Sequence, residues 1–469
     1  MLFNSISYLV FFPLVCALYW SLPHKYRNGM LLVASYYFYM NWQPIYAFLI
    51  LISTITTWLC GIKIDNASTT NICVRKTYLA FCIIFNLSIL FFYKYLSFIT
   101  DILFSLLSFF NISMQVPHFD ILLPVGISFY TFQAIGYTID VYKNKIRAER
   151  SFFTYALFVS FFPQLVAGPI ERASNLLCQF HKKHMFDSNQ FIEGLKLMVW
   201  GFFMKLCIAE NVASYVNAVF NNIAHHNGSS ILLATLFFTF QIFCDFGGYS
   251  LIAIGTSRCL NFTLMQNFNR PYLTTSMKDF WRRWHISLSS WFTEYVYIPL
   301  GGNRCSAIRN NRNLMVTMLV SGAWHGANWT FILWGGYHGL LLIINKLFAR
   351  IHFPKWTKPI RIIICFIWIM FGWVLFRANN VHDAISAYKK MAFEYGPLYH
   401  GEGIPSLVLP IVLIIFLMCK EIKDEIGLKL HFMNSTNLYV SSFWTGAMII
   451  LILLCAKFEA YRSNCRMNY

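Results

Sequence analysis

The sequence predicts an all-α integral membrane protein, a polytopic helical bundle of about 10–12 crossings with re-entrant and interfacial helices. Three observations predict it. Of 469 residues, 57% are hydrophobic and only 12% are charged, about half the ~25% charged share of a soluble domain. Apolar runs recur along the chain with short polar breaks. The basic excess, 37 Lys+Arg against 19 Asp+Glu, is spread between those runs, as cytoplasmic loops of a membrane protein require. It is not gathered into the single patch that nucleic-acid binding would need.

The runs lie near 7–22, 29–41, 45–61, 78–98, 101–113, 121–140, 152–170, 191–213, 231–255, 314–345, 360–377, 405–419 and 440–456. Residues 1–23 carry no charge, so the basic n-region of a cleaved signal is missing and the first run reads as a retained span. Several runs fall short of the roughly 20 residues of a full crossing and read as tilted, re-entrant or protein-buried. There is no soluble domain or low-complexity linker, so residues 1–469 read as one membrane domain.

Loop charge predicts sidedness. Loops 142–150, 171–190 and 346–361 are basic and are assigned to the cytoplasm; loop 214–230 has no Lys, Arg, Asp or Glu and is assigned outside. Two basic loops flanking 152–170 conflict with a single crossing there. Pro163, Gly168 and Pro169 predict a broken or re-entrant helix that removes the conflict.

The longest polar stretch, 256–313, reads as a cytoplasmic or re-entrant amphipathic region. Within it, Phe280, Trp284, Trp291 and Tyr295 recur at helical spacing and predict one helix over Lys278–Tyr297. Ser276-x-x-Asp279 is a capping box at its start, and Pro299-Leu300-Gly301-Gly302 stops it. The run 314–345 is shorter than the roughly 40 residues of two full spans, yet both flanks read as cytoplasmic. It is predicted to be a hairpin turning inside the membrane near Gly326.

Histidines in membrane spans are costly and mark candidate sites. Of 13, three lie outside loops: His285, His325 and His338. Small residues at 321–323 and 326–327 open space around His325. A neutral imidazole there can accept a proton from a hydroxyl nucleophile. The pattern alone leaves open a core histidine bonded to a backbone carbonyl. By helical spacing His285 shares a face with Trp281, Leu288 and Phe292, and also reads as an interfacial anchor. His338 reads as packing. The 13 cysteines are scattered without a C-x-x-C, and imply neither a disulfide framework nor a metal site. There is no H-x-x-x-x-D, G-x-S-x-G, Walker A or H-E-x-x-H sequence, so serine-hydrolase and ATP-driven readings have no anchor.

Phe280-Trp281-Arg282-Arg283-Trp284-His285-Ile286-Ser287-Leu288-Ser289, followed by Tyr297-Ile298-Pro299-Leu300-Gly301-Gly302-Asn303-Arg304, resembles the membrane-bound O-acyltransferase (MBOAT) family. Trp324-His325-Gly326-Ala327-Asn328-Trp329 resembles its histidine motif. Leu123–Gln133, Phe162–Arg172, Asp245–Ser250, Asn267–Tyr272 and Phe376-Arg377-Ala378 follow the family in order, over roughly residues 1 to 400. The match is closest to the branch holding the alginate O-acetyltransferase membrane subunit, peptidoglycan O-acetyltransferase and the teichoic-acid D-alanyl transfer protein.

The resemblance implies a helical bundle around a central tunnel, with an acyl donor entering from the cytoplasm and an acceptor from the other side. It maps the two family histidines onto His325, as the catalytic residue, and His285. The expected function is acetyl transfer from acetyl-CoA toward hydroxyls of an exported or cell-surface polysaccharide, at the plasma (inner) membrane. No bound cofactor or metal is expected; acetyl-CoA, or another acyl thioester, is the donor substrate. Donor or substrate contacts are expected from Arg282, Arg283, Asn303, Arg304, Trp324, Asn328 and Asp245. Expected partners are an extracytoplasmic esterase-like transferase, the polysaccharide acceptor and membrane lipid, with no nucleic acid. Tyr461 or Tyr469 reads as an acyl relay or as an ordinary polar tail. The alternatives are a transporter or flippase, or a scaffold without its own chemistry.

Overall fold

The computed structural model describes residues 1–67, 71–110, 123–166, 168–348, 351, 353–401, 403–428, 433, 435 and 437–456. Tyr461 and Tyr469 lie outside the described residues. Among the described residues there are helices and turns and no strand. The helices are α1 (Ile6–Ser21), α2 (His24–Met40), α3 (Tyr46–Asn66), α4 (Ile72–Lys94), α5 (Leu96–Phe109), α6 (Ile127–Tyr142), α7 (Phe152–Ser160), α8 (Phe162–Leu165), α9 (Ala173–Phe180) and α10 (Ser188–Phe202). They continue with α11 (Glu210–Phe220), α12 (Gly228–Cys259), α13 (Met277–Arg283), α14 (Ile286–Phe292), α15 (Ala307–His325), α16 (Trp329–Phe348), α17 (Lys358–Arg377), α18 (Val381–Phe393), α19 (Pro405–Ile426) and α20 (Leu438–Cys455).

Among the described residues, six segments are long and apolar enough to cross a membrane: Tyr46–Asn66, Ile72–Lys94, Gly228–Cys259, Trp329–Phe348, Lys355–Arg377 and Pro405–Ile426. Ile6–Ser21, Leu96–Phe109 and Tyr439–Cys455 are apolar but shorter. The protein is a multi-pass membrane protein. Its chain forms two compact units, Met1–Leu195 with Ala253–Met265, and Lys196–Ile252 with Gln266–Tyr469.

In the first unit, α3 packs against α4, α6 and α7. Buried hydroxyls and amides tie these helices together: Ser53 donates to Asn86 Oδ1 at 2.6 Å, and Tyr155 donates to Thr57 Oγ1 at 2.9 Å. Such bonds join helices where lipid leaves no hydrophobic gain between them. The 152–170 run is broken at buried Phe161, with Pro163 in the first turn of α8 rather than in a helix interior. The 9 residues of α7 and 4 of α8 are far below the roughly 20 of a crossing. The basic loops on either side are therefore compatible with one face.

In the second unit, α15 and α16 form a hairpin that turns over Gly326–Asn328, near the Gly326 turn expected; its arms of 19 and 20 residues run beyond the expected 314–345, and α16 is long enough to cross. Glycines let its arms touch backbone to backbone. A Cβ on Gly322 would lie 2.3 Å from the Phe331 carbonyl oxygen, and one on Gly335 would lie 2.3 Å from that of Met318. The expected helix over Lys278–Tyr297 is not continuous. It is α13, a break at Trp284-His285, α14 and then a π-helical turn over Thr293–Tyr297.

Candidate active site

The break in the second unit positions His285. Ser276 caps α13 by accepting from the Asp279 N–H at 3.2 Å, and the helix ends at Trp284. His285 then takes φ 40° and ψ 57°, a left-handed conformation unusual for a side chain other than Gly, Asn or Asp. Two backbone bonds hold it there: Asn269 N–H donates to the Arg283 carbonyl at 3.0 Å, and Ile286 N–H to the Asn267 carbonyl at 2.8 Å. This clip between residues 267–269 and 283–286 turns the histidine out of the helical ladder. Helical periodicity predicted a buried His285; it is buried, through the break rather than through a helix face.

The ring of His285 meets Phe246 edge-on at 4.6 Å. Its Nδ1 is 3.5 Å from Ser287 Oγ. Ser287 donates its own hydrogen to Asn267 Oδ1 at 2.6 Å, and Asn267 Nδ2 donates to Ser250 Oγ at 2.9 Å. With the hydroxyl hydrogen directed to Asn267, a bond between Ser287 and the imidazole requires the proton on Nδ1. That tautomer leaves Nε2 as an acceptor. Burial, with a further contribution from nearby His325, holds the His285 pKa well below its usual 6.5, so this ring is neutral at physiological pH.

His325 is the last residue of α15, and Gly326 continues in extended backbone. Its ring lies edge-on to Trp334 at 5.1 Å and to Phe376 at 5.2 Å. Trp334 is 1% exposed. His325 is near enough to His285 to act on its charge, and each ring has its own aromatic neighbours in the second unit. Among the described residues no group of His, Cys, Asp and Glu side chains could hold a metal ion.

The model of the MBOAT, membrane-bound O-acyltransferase family, matches residues 144–382. The chain is 40% identical over 399 residues to a probable alginate O-acetylase of Azotobacter vinelandii, covering 84% of this chain and 79% of that protein. It is 35% identical over 434 residues to a peptidoglycan O-acetyltransferase of Helicobacter pylori, covering 83% and 80%. It is 30% identical over 281 residues to a teichoic acid D-alanyltransferase of Streptococcus thermophilus, covering 54% and 68%.

The chain belongs to the MBOAT family.

It is thus a membrane-bound acyltransferase, and both histidines fall inside the matched segment. The remaining sequence-predicted residues of this MBOAT chain have distinct placements. Asp245 precedes Phe246, the wall of His285, and its carboxylate pairs with Lys205 Nζ, which also lies 3.8 Å from Glu210. Trp324 and Asn328 flank His325. The Asn328 amide donates to the Asn379 carbonyl at 2.8 Å, and its oxygen accepts from Thr330 N–H at 3.1 Å; these bonds shape the hairpin tip. Arg283 is engaged by Asp279 at 3.2 Å and by Glu425 at 2.9 Å. Arg282, Asn303 and Arg304 are exposed, the last two on the turn after the π-helical segment. His338 is fully buried, edge-on to Trp281 at 5.2 Å and to Trp334 at 4.9 Å.

Sequence reasoning assigned no role to Ser250, Asn267, Ser287, Trp334, Phe376 or Glu425. The first three lie in or beside segments that resemble the family, and a polar residue flanking a candidate histidine was the available signal. Nothing local to Glu425 pointed to Arg270 and Arg283.

Proposed function

We propose that this MBOAT protein transfers an acetyl group from cytoplasmic acetyl-CoA to a hydroxyl outside the cytoplasm, supplying O-acetylation of a cell-surface or exported polysaccharide at the inner membrane. The observation that carries this reading is the pairing of two buried or half-buried histidines within the family-matched segment. The names of the alginate and peptidoglycan relatives support acetyl as the group moved and a glycan as its destination.

The chemistry needs a base, a positioned hydroxyl and little water. His325 takes the hydroxyl proton as the oxygen attacks the thioester carbonyl carbon. The C–S bond then breaks, and the proton on His325 goes to the leaving sulfur, giving an oxygen ester and the free thiol. The attacking hydroxyl's single hydrogen goes to His325, so neutral His285, with its proton on Nδ1, offers Nε2 as an acceptor to a neighbouring hydroxyl of the acceptor molecule and orients it. Phe246, Trp334 and Phe376 keep water from the thioester. Exposed Arg282 and Arg304 are suited to the phosphates of CoA, whereas Arg283 is already engaged by carboxylates. A secreted or membrane-anchored transferase completes delivery to the polymer.

The test is His325→Ala in the full-length protein, with acetyl-CoA as donor and protein level monitored. Loss of a general base lowers the rate by roughly 10²–10⁴-fold. Undiminished thiol release and surface O-acetylation in this variant would remove His325 from the chemistry, as a flippase or scaffold requires.

A further inference from the structure

One carboxylate grips both sides of the backbone clip that shapes His285. Glu425, in the last turns of α19, accepts from Arg270 Nε at 2.8 Å and from Arg283 Nη1 at 2.9 Å, both on Oε2. Arg270 follows Asn269, whose N–H bonds the Arg283 carbonyl. Arg283 itself stands two residues before His285. The guanidinium and backbone bonds therefore join the same two segments twice, once through the main chain and once through Glu425. Arg270 has φ 47° and His285 φ 40°. Both are side-chain-bearing residues in the left-handed region, a conformation that persists only where the surroundings over-determine it. The Glu425 side chain is 15% exposed and its partners Arg270 and Arg283 are 31% and 22% exposed, so the fork is partly shielded from solvent. It also lies outside the segment matched by the family model, which ends at 382.

We propose that Glu425 is a positioning residue for acyl transfer, acting on His285 through Arg270 and Arg283; this rests on the reading of His285 and His325 as the reacting pair. Without the carboxylate, two guanidiniums would face each other across the clip, offset in part by Asp279 beside Arg283 and Glu421 near Arg270. Their repulsion opens the clip and frees His285 from its left-handed turn. The α19 helix itself is seated by Leu413 and Leu417, which are buried, so the effect is confined to the clip.

The experiment uses full-length protein in detergent, acetyl-CoA as donor and thiol release as readout, with kcat and KM separated. Glu425→Gln is expected to lower kcat on the order of tenfold with KM for acetyl-CoA little changed. Arg270→Gln is expected to do the same more weakly. In a His285→Asn background, Glu425→Gln is expected to cost nothing further, because two substitutions acting through one group are not additive. If Glu425→Gln fails to accumulate, Glu425→Asp, which keeps the charge, is expected to fold with an intermediate kcat. Wild-type kcat in the Glu425 variants, or a full independent loss in the His285→Asn background, would overturn the proposal alone. A wild-type protein that releases no thiol would overturn the acyl-transfer reading and this proposal together.

Discussion

His285 has three neighbours that set its chemistry: Phe246 on its face, Ser287 at Nδ1 and His325 nearby. Burial as a whole, and then His325, disfavour its cation, and Ser287 selects its tautomer. Its folded pKa lies well below 6.5, while in the unfolded chain it returns to about 6.5. Above that value both states are neutral and stability does not depend on this group. As pH falls below it, the unfolded chain binds a proton that the folded protein does not, and stability drops by roughly 1.4 kcal/mol per pH unit from this residue. Melting temperature in detergent should therefore fall between pH 7.5 and 5.5, and fall less in His285→Asn. Asparagine tolerates the left-handed backbone, so that variant isolates the titration. Ser287→Ala removes the bond that sets the tautomer; a loss of about 1 kcal/mol, roughly fivefold in kcat, is expected. Arg282→Gln should instead raise KM for acetyl-CoA several-fold with kcat unchanged, because a phosphate contact remote from the carbonyl binds ground and transition states alike.

At the scale of elements, the hairpin of α15 and α16 was legible because its signals are local. Small residues at 321–323 and 326–327 place the turn, but the arms, 19 residues in α15 and 20 in α16, run beyond the 314–345 expected, and α16 alone is long enough to cross. Gly322→Val should separate the arms, since its Cβ would meet the Phe331 carbonyl oxygen at 2.3 Å. A destabilisation of about 1–3 kcal/mol or more, read as lost folded yield and a lower melting temperature, is expected. Gly336→Ala is the control, because its Cβ meets only Leu319 Cδ2 at 3.6 Å. The break at His285 was not legible. Phe280, Trp284, Trp291 and Tyr295 keep helical spacing across it, and nothing in a histidine announces φ 40°. That conformation is imposed by Asn267 and Asn269 from another segment, and periodicity cannot see a distant backbone bond. The Glu425 fork escaped for the same reason: its partners are more than 140 positions away. Charge reading counted Arg283 among donor-binding residues; its pairing with Asp279 and Glu425 is what a sequence, which lists cations without their partners, does not carry.

At the scale of the molecule, loop charge predicts how the acyltransferase is oriented in its membrane. The chain carries a formal net charge of +18, and loops 142–150 and 346–361 hold much of the excess. A cytoplasmic leaflet rich in anionic lipid retains such loops, and the same cations favour a phosphate-bearing donor on that side. Residues 214–230, which carry no Lys, Arg, Asp or Glu, are expected on the outer side; α11 ends at Phe220 and α12 starts at Gly228, so 221–227 form the connection itself. Under the proposed function, the direction of transfer follows this expected sidedness. It can be measured in a background with the 13 native cysteines replaced, carrying one new exposed thiol at a time. Arg147→Cys and Lys355→Cys should react with a membrane-impermeant maleimide only in inside-out vesicles, and His225→Cys only in intact spheroplasts. Labelling of His225→Cys from the cytoplasmic face would reverse the loop assignments. It would also require the donor to enter from the side here given to the acceptor, because the basic loops that favour CoA would then lie outside.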